Sequence, residues 1–353
     1  MARLLEGALG HAGFEPTLAS ELRTLDKEGD PDRQECLEAE SEAVATDLIR
    51  SYGTLAPARR PRLWFTYHVY YKAPDWIGPR IADALRIPYV IAEGSRAPKR
   101  ITGPWALGNR SAEAALDRAD LILVMTDRDR PALERCRPRA QILVDLPPFV
   151  EDDWVEASSG ASRGLPGPDG PELLTVAMMR RGDKFESYRI LGASLRDLAD
   201  CPWILHVAGD GEAREEIQRL LKPVSSRVRF HGEVGDRAVL RTLYDKAHLF
   251  VWPAVNEAYG MALLEAQARG CPVVAGAFGG VASVVRHGQT GYLTTPGDTK
   301  AFADAIRTLL RDTPALRRMG SAARRFVSDE RTLAHASYRL RSTLMPLIEG
   351  ARR

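Results

Sequence analysis

Two hydrophobic periods alternate along the chain. Helical spacing runs through "MARLLEGALGHAG", where Gly10 or Gly13 supplies a stop, and a long polar helix follows over "DRQECLEAESEAVATDLIRSYG". The first half continues with a strand "RLWFTYH", a helix "WIGPRIADALR", a strand "IPYVIAE", a helix "SAEAALDRA" and a strand "DLILVMT". The second half places short apolar strands at "ELLTVAMM", "WILHVAGDG", "RVRFHGEV", "HLFVWPA", "CPVVAGAF" and "GYLTTP", with helices such as "GEAREEIQRLLK" and "AVLRTLYDKA" between them. Apolar strands separated by helices predict an α/β fold with parallel sheets covered on both faces. Two doubly wound, Rossmann-like domains are expected to face each other across a cleft, with ligand at the carboxyl ends of their strands.

Length and composition divide this pattern. At 353 residues the chain exceeds what one core usually sustains. The stretch "ASSGASRGLPGPDGP" (157–171) has almost no apolar content and reads as a linker. The expected organisation is therefore an N-terminal domain over 1–156, the linker over 157–171, a C-terminal domain over 172–327, and helices over 328–353 suited to cross back to the N-terminal domain. With 49 basic and 47 acidic side chains the net charge is +2, which argues against a dedicated nucleic-acid binder. Cys36, Cys136, Cys201 and Cys271 form no metal-binding cluster and read as small buried hydrophobes in a reducing compartment. Neither a signal peptide nor a membrane-length apolar run is present in the sequence, so a cytoplasmic location is expected. The "ARRPRLW" stretch (58–64) adds a second reading, peripheral contact with the inner membrane face, beside the plainer one of a solvated turn before a strand.

Residues 256–275, "NEAYGMALLEAQARGCPVVA", carry the densest candidate chemistry. The helix starts near Gly260 and ends at Gly270, which suits a left-handed terminus. Glu257 then lies on the loop at the helix mouth, and Glu265 lies one to two turns inside. The amides of Tyr259, Gly260 and Met261 lack intrahelical partners, and Gly260 admits close approach of a ligand. Carboxylates beside a phosphate would repel it, so the two glutamates are expected to accept hydrogen bonds from sugar hydroxyls. A plainer reading stays open on residue chemistry alone: Glu257 favours the helix dipole and Glu265 faces solvent. Against it stands the apolar setting of Glu265, where an unpartnered charge is costly.

The Glu-x7-Glu pattern of this stretch, followed by "GGVASVVRHGQTGYLTTPGD", resembles the signature of retaining glycosyltransferases of family 4, which have the two-domain GT-B fold. "VAGDGEAREEIQRLL", "VRFHGEV" and "DTPALRRMGSAARRFV" fall in that family's order, while the N-terminal half resembles its acceptor domain more loosely. The resemblance implies that Glu257 holds hydroxyls of the transferred sugar and Glu265 the ribose hydroxyls of a nucleotide. The amides at Tyr259, Gly260 and Met261 would stabilise the leaving diphosphate, with no metal. It further implies cations after the first donor-domain strand. Met178 stands where the family's Arg is common, and Arg180, Arg181 and Lys184 follow, so the pair is assigned to Lys184 and Arg180. Gly209 and Asp210 would line the donor pocket, Val234 would meet the nucleobase, and Gly279 and Gly280 would turn near the sugar.

In the first half His68 and, beyond the next strand, Glu93, Ser95 and Arg96 stand at strand ends facing the expected cleft. Relatives place a sugar-binding His near the second of these ends, where this chain has Glu93 and Ser95. That role does not carry over, and His68, Glu93 and Ser95 are acceptor-side candidates from position, with Tyr67, Lys72, Trp76 and Lys99 around them; a hydrogen-bonded structural His68 is the bland alternative. Relatives also begin with a strand and a Gly-rich loop, whereas this sequence begins on the following helix, so a late-set start is expected. The implied function is a retaining, metal-independent transfer of sugar from a nucleotide-sugar donor to a glycan or lipid-linked acceptor, in cell-surface polysaccharide or glycoconjugate synthesis. The alternative is a non-catalytic nucleotide- or glycan-binding partner of another transferase.

Overall fold

The computed structural model describes residues 1–156, 164 and 166–350, so residues 157–163 and 165 of the expected linker lie outside the described residues. The chain divides into two compact units, one formed by Met1–Pro147 with Ala336–Arg353 and the other by Pro148–His335.

Unit one contains α1 (Ala2–His11), α2 (Pro31–Thr54), β1 (Trp64–Val69), α3 (Gly78–Leu85), β2 (Tyr89–Gly94), α4 (Ala106–Arg118), β3 (Leu121–Val124), α5 (Arg130–Arg135) and β4 (Ile142–Asp145). Its four strands are parallel in the order β1-β2-β3-β4. Asp30 starts α2 by accepting the N–H groups of Asp32 and Arg33, with Pro31 at the first helical position. Tyr89, Ile91 and Ile122 bury completely against Ala115 and Leu116 of α4. Each such aliphatic side chain contributes about 1.5–3 kcal/mol of transfer free energy. α5 and β4 have no counterpart among the expected elements. β4 is a four-residue edge strand with exposed ends, too short for a buried-strand pattern to show.

Unit two contains β5 (Glu172–Val176), α6 (Asp183–Arg196), β6 (Ile204–Ala208), α7 (Arg214–Leu221), β7 (Val228–Gly232), α8 (Arg237–Lys246), β8 (Leu249–Trp252), α9 (Met261–Ala268), β9 (Val273–Gly276), β10 (Gly291–Thr294), α10 (Thr299–Leu310) and α11 (Thr313–Glu330). The helix α12 (Leu333–Gly350) follows, most of it counted in unit one. All six strands are parallel in the order β10-β9-β8-β5-β6-β7. The sheet is doubly wound: strand order reverses between β5 and β8, which are direct neighbours. Leu174, Leu205, Phe250 and Val274 form the middle of a core that also takes Tyr188 from α6, Ile217 from α7 and Leu263 from α9.

Several sequence features find local uses. Arg60 of "ARRPRLW" donates to the carbonyls of Leu55 (3.0 Å) and Gly53 (2.9 Å) and so satisfies the C-terminus of α2, while Trp64 enters β1. No helix among the described residues is long and apolar enough to cross a membrane. Cys201 and Cys271 are buried as expected, but Cys36 and Cys136 are exposed, one on the outer face of α2 and the other just past α5.

His206 on β6 and His231 on β7 stack at 5.2 Å between ring centroids, with 2.9 Å between Nδ1 of the first and Nε2 of the second. Burial holds the pKa of both below the ordinary 6.5; the His231, Arg229 and Lys246 charges lower His206 further and the Glu172 charge opposes this. The unfolded chain therefore takes up protons first as pH falls. The stability carried by these neutral rings is present above pH 6.5 and is lost as pH drops through that value. The melting temperature of the wild type should fall between pH 7.5 and pH 5.5, by about 2–4 °C for each kcal/mol lost in a unit of this size. His231→Gln should flatten that dependence, and an identical slope in the variant would refute the assignment.

Candidate functional site

The reversal of strand order in unit two fixes where a ligand belongs. In an open parallel sheet, the loops leaving the two strands on either side of the reversal diverge and leave a crevice at their carboxyl ends. β5 and β8 are those strands, and each delivers one member of an ion pair.

From β5 the chain passes through Ala177–Gly182, with Gly182 at φ +77° before α6. Lys184 in the first turn of α6 reaches Oε2 of Glu257 at 2.5 Å. Glu257 stands on the loop leaving β8. The Trp252 ring, at the end of β8, lies 5.6 Å from the Lys184 Nζ, and its indole N–H is 3.5 Å from the same carboxylate oxygen. Trp252 in turn meets the buried Tyr188 edge-on at 5.0 Å, and the Tyr188 hydroxyl donates to the Ala177 carbonyl at 2.9 Å. The pair is thus seated on the core while Lys184 and Glu257 stay 26% and 18% exposed, open to a ligand.

The β8–α9 loop is strained and pinned. Ala254 (φ +58°) and Asn256 (φ +50°) adopt left-handed conformations at a cost of about 1–3 kcal/mol each, which surrounding contacts must hold in place. Ser187 Oγ accepts the Val255 N–H at 3.0 Å and Asn256 donates to Asp183 at 3.0 Å, both anchors coming from α6. Gly260, at φ +76°, precedes α9, and Tyr259 beside it is buried. A Cβ on Gly260 would come within 2.6 Å of Leu263. The Gly280 N–H faces the Glu257 carbonyl at 3.4 Å.

Glu265 has a different environment. It sits one turn into α9, partly buried, and its Oε2 accepts the hydroxyl of the fully buried Tyr244 at 2.9 Å. Burial raises its pKa, against the Tyr244 hydrogen bond and the charge of Arg237. Arg237 pairs with Glu151 and Arg241 with Asp153, and both guanidiniums lie over Trp154, at 5.8 and 5.6 Å. Trp154 meets Tyr244 edge-on at 5.6 Å. Two carboxylates eight residues apart therefore have unlike partners, one a cation and the other a phenol.

The remaining donor-side candidates are distributed unevenly. Arg180 is exposed and forms no ion pair among the described residues, while Arg181 is tied to Glu216 of α7 at 2.9 Å. Gly209 (φ +145°) and Gly211 (φ +150°) carry a packing requirement: a Cβ would lie 1.9 Å from the Ala177 carbonyl oxygen and 2.5 Å from that of Met179. Their absent side chains let the β6 exit lie against the β5 exit. Asp210 is paired with Arg214 and caps its own loop through the Gly211 N–H at 2.8 Å. Val234 is half-buried beyond β7, at the edge of the sheet and two strands from β5.

In unit one, β1 and β2 end side by side. His68 (φ +68°) and Glu93 (φ +62°) are both left-handed, and His68 Nδ1 lies 3.0 Å from Glu93 Oε1. Tyr67 also hydrogen-bonds Glu93, and burial followed by the Glu93 charge pushes its hydroxyl above the usual tyrosine range. Ser95 donates to Asp129 at 2.7 Å, and Arg96 is buried between Glu113 and Asp117 (2.6 Å to the latter). His68 and Glu93 are brought together, whereas Ser95 serves the next loop.

Comparison with known proteins gives this geometry a family. Residues 170–312 match the family described as glycosyl transferases group 1. Over 308 residues, 80% of this chain and 68% of the relative, the chain is 31% identical to a D-inositol 3-phosphate glycosyltransferase of Mycobacterium avium strain 104. The chain belongs to the group 1 glycosyltransferases. A D-inositol 3-phosphate glycosyltransferase of Streptomyces avermitilis is 32% identical over 205 residues, 57% of this chain; the match spans 41% of that relative's length. The fold is shared with Anabaena HepE in complex with UDP and glucose, at a TM-score of 0.65 and 18% identity over 86% of this chain and 81% of that one. It is the fold of the GT-B glycosyltransferases.

In this group 1 glycosyltransferase, Trp252, Ser187, Asp183 and Tyr244 support the two glutamates and were not singled out from sequence. Trp252 stands at the strand end next to Glu257, where an aromatic signals support for a polar neighbour. Tyr244 carries no such signal, since its partner is 21 residues away. The raised pKa of Glu265 means that its charged form burdens the fold. That burden is absent below the ordinary carboxyl value of 4.5 and appears as pH rises through the raised one. Glu265→Gln should therefore melt higher than the wild type at neutral pH, by about 2–4 °C for roughly 1 kcal/mol, with the gain vanishing near pH 4. A lower melting temperature at pH 7.5 would overturn this account.

Proposed function

We propose that the chain transfers a sugar from a nucleoside-diphosphate sugar to an acceptor hydroxyl with retention of anomeric configuration and without a metal. The observation that carries the proposal is the Lys184–Glu257 pair at the strand-order reversal. In the resting site the two charges satisfy each other. With donor bound, the Lys184 ammonium turns to the diphosphate and the Glu257 carboxylate to a hydroxyl of the transferred sugar. Arg180 and the amides of Tyr259, Gly260 and Met261 add positive potential where charge grows on the leaving phosphate. Glu265, held on Tyr244, accepts the ribose hydroxyls. Gly209 and Asp210 shape the exit of β6, and Val234 offers backbone to the base. The UDP in HepE supports a uridine donor. The acceptor attacks from the face that the diphosphate leaves, and its proton passes to a departing phosphate oxygen, which balances the step without a protein nucleophile. His68 and Glu93 are proposed to orient the acceptor.

A cytoplasmic role at the inner membrane face, with a glycan or lipid-linked acceptor, extends the same proposal. Screening UDP-, GDP- and ADP-sugars by thermal shift finds the donor, since specific binding raises the melting temperature.

Glu257→Gln and Lys184→Ala should each lower kcat/KM by about 100- to 1000-fold. Because the two residues act on one another, the double variant should be little worse than the more damaged single variant. Product anomers should match the donor, and EDTA should leave the rate unchanged. Wild-type rates in both single variants would refute the roles given to the pair, and donor binding with neither transfer nor hydrolysis in the wild type would leave a non-catalytic binding protein as the better reading. Glu265→Gln should raise the donor KM while stabilising the fold.

A further inference from the structure

If Lys184 turns to a diphosphate, Glu257 loses the partner that holds it at 2.5 Å. Among the described residues two side chains donate to this carboxylate, the Lys184 ammonium and the Trp252 indole, and both address Oε2. The indole contact is long, at 3.5 Å, while the ammonium occupies the oxygen. The other polar side chains of the loop are engaged elsewhere. Asn256 donates to Asp183 at 3.0 Å. The Ser187 hydroxyl donates to the Asp183 carbonyl at 2.9 Å while accepting the Val255 N–H. When the lysine leaves, the indole N–H is the donor that remains in reach.

Trp252 is built to stay in place. It ends β8, is 2% exposed, and meets the Tyr188 ring edge-on at 5.0 Å with planes at 75°. Tyr188 is fully buried, and its hydroxyl is tied to the Ala177 carbonyl at the β5 exit. The indole is therefore fixed from both strands that flank the reversal of strand order. Glu257 is the movable member. Its backbone is held through α6, but its side chain turns about its own torsions and closes the gap without displacing the loop.

Packing alone does not require an indole here, since another large apolar side chain would fill the end of a buried strand. The indole adds two polar features, and each meets one member of the ion pair. Its ring lies 5.6 Å from the Lys184 Nζ, and its N–H points to the Glu257 oxygen that the lysine holds. One rigid side chain thus touches both charges.

We infer that Trp252 is a positioning residue that takes Glu257 over from Lys184. As the ammonium departs, the indole N–H closes on Oε2 to about 2.9 Å. Oε1 then stays turned to the hydroxyls of the bound sugar. Without a second donor, a partly buried carboxylate oxygen would lose its hydrogen bond just as the donor arrives, and that penalty would weaken donor binding. The carboxylate would also be free to swing away from the diphosphate charge. The inference rests on the glycosyl-transfer reading for what draws the lysine away; the bond between indole and carboxylate does not.

Indole proton and nitrogen resonances of the full chain test this directly. The chain has six tryptophans, and Trp252→Phe identifies the peak by its loss, or Trp252→Tyr should the first variant pack poorly. In Lys184→Ala without ligand, the Trp252 indole proton should move downfield, as a proton does when its hydrogen bond shortens. Adding Glu257→Ala to that variant should cancel the shift, which separates a new bond from the loss of a charge near the ring. UDP added to the wild type should move the same peak in the same direction. In transfer assays Trp252→Phe should lower kcat/KM about tenfold. It should leave the Kd of UDP unchanged, because UDP lacks the sugar that Glu257 holds. An unmoved peak in Lys184→Ala, an equal shift in the double variant, or a UDP Kd weakened as much as kcat/KM would overturn the inference. A peak that moves in Lys184→Ala but not on adding UDP to the wild type would leave the indole bond standing and count against the diphosphate role of Lys184 alone.

Discussion

The ion pair between Lys184 and Glu257 depends on where one sheet reverses its strand order. Parallel strands that wind outward in both directions leave their first and fourth members adjacent, so loops distant in sequence emerge together. Lys184 and Glu257 are 73 residues apart and meet at 2.5 Å for that reason. The strained backbone at Ala254 and Asn256 is held by Ser187 and Asn256–Asp183 contacts to α6, so the loop that carries the carboxylate is pinned by the helix that carries the lysine. Any ligand that replaces the ion pair inherits a prearranged geometry, because the supporting bonds run through backbone, serine and tryptophan.

The two glutamates show how one sequence motif yields two chemical environments. Glu257 is partly open and charge-paired with Lys184, which leaves lone pairs for hydroxyls. Around Glu265 burial works against ionisation and a phenol from α8 supplies the hydrogen bond. A carboxylate kept at such a site costs stability, and the fold offers it only partial compensation through Arg237. The ring of Arg237, Arg241, Asp153 and Trp154 fixes the tyrosine and the distant cation together. Stability and binding are thus set against each other at one residue.

The strands of both sheets were legible because parallel strands buried on two faces are nearly continuous apolar runs. The helix from Met261 and its Gly270 end, at φ +71°, were legible from glycine and periodicity. β4 escaped because an edge strand of four residues has no face to alternate, and Cys36 and Cys136 misled because a polar helix face and a helix-ending turn accept a cysteine as readily as a core does. The glutamates could be named from sequence, but their partners could not: Tyr244 and Trp252 look like ordinary core aromatics until the sheet brings them to the carboxylates. Gly209 was read as lining the donor pocket, and the structure gives it and Gly211 a packing duty, since any side chain there would strike the β5 exit.

Backbone strain separates the two units in a way that periodicity could not. In unit two the left-handed non-glycine residues lie beside the ion pair; in unit one, apart from Arg86 at the end of α3, the corresponding strain falls on His68 and Glu93, at adjacent strand ends. A His and a Glu would each be more comfortable in extended backbone, so their conformations persist because something else fixes them. The hydrogen bonds to Tyr67 and between the two side chains supply part of that restraint, and the edge-on ring series from His68 through Tyr70 to Tyr71 packs beside them. The ring series continues to Trp105, where Lys72 and Arg100 stand without carboxylate partners among the described residues. Polar groups held rigid at one end of an aromatic wall, and positive charge held rigid at the other, are a demanding arrangement to maintain for packing alone. A hydrophobic side chain at either end would satisfy packing with less strain and less repulsion.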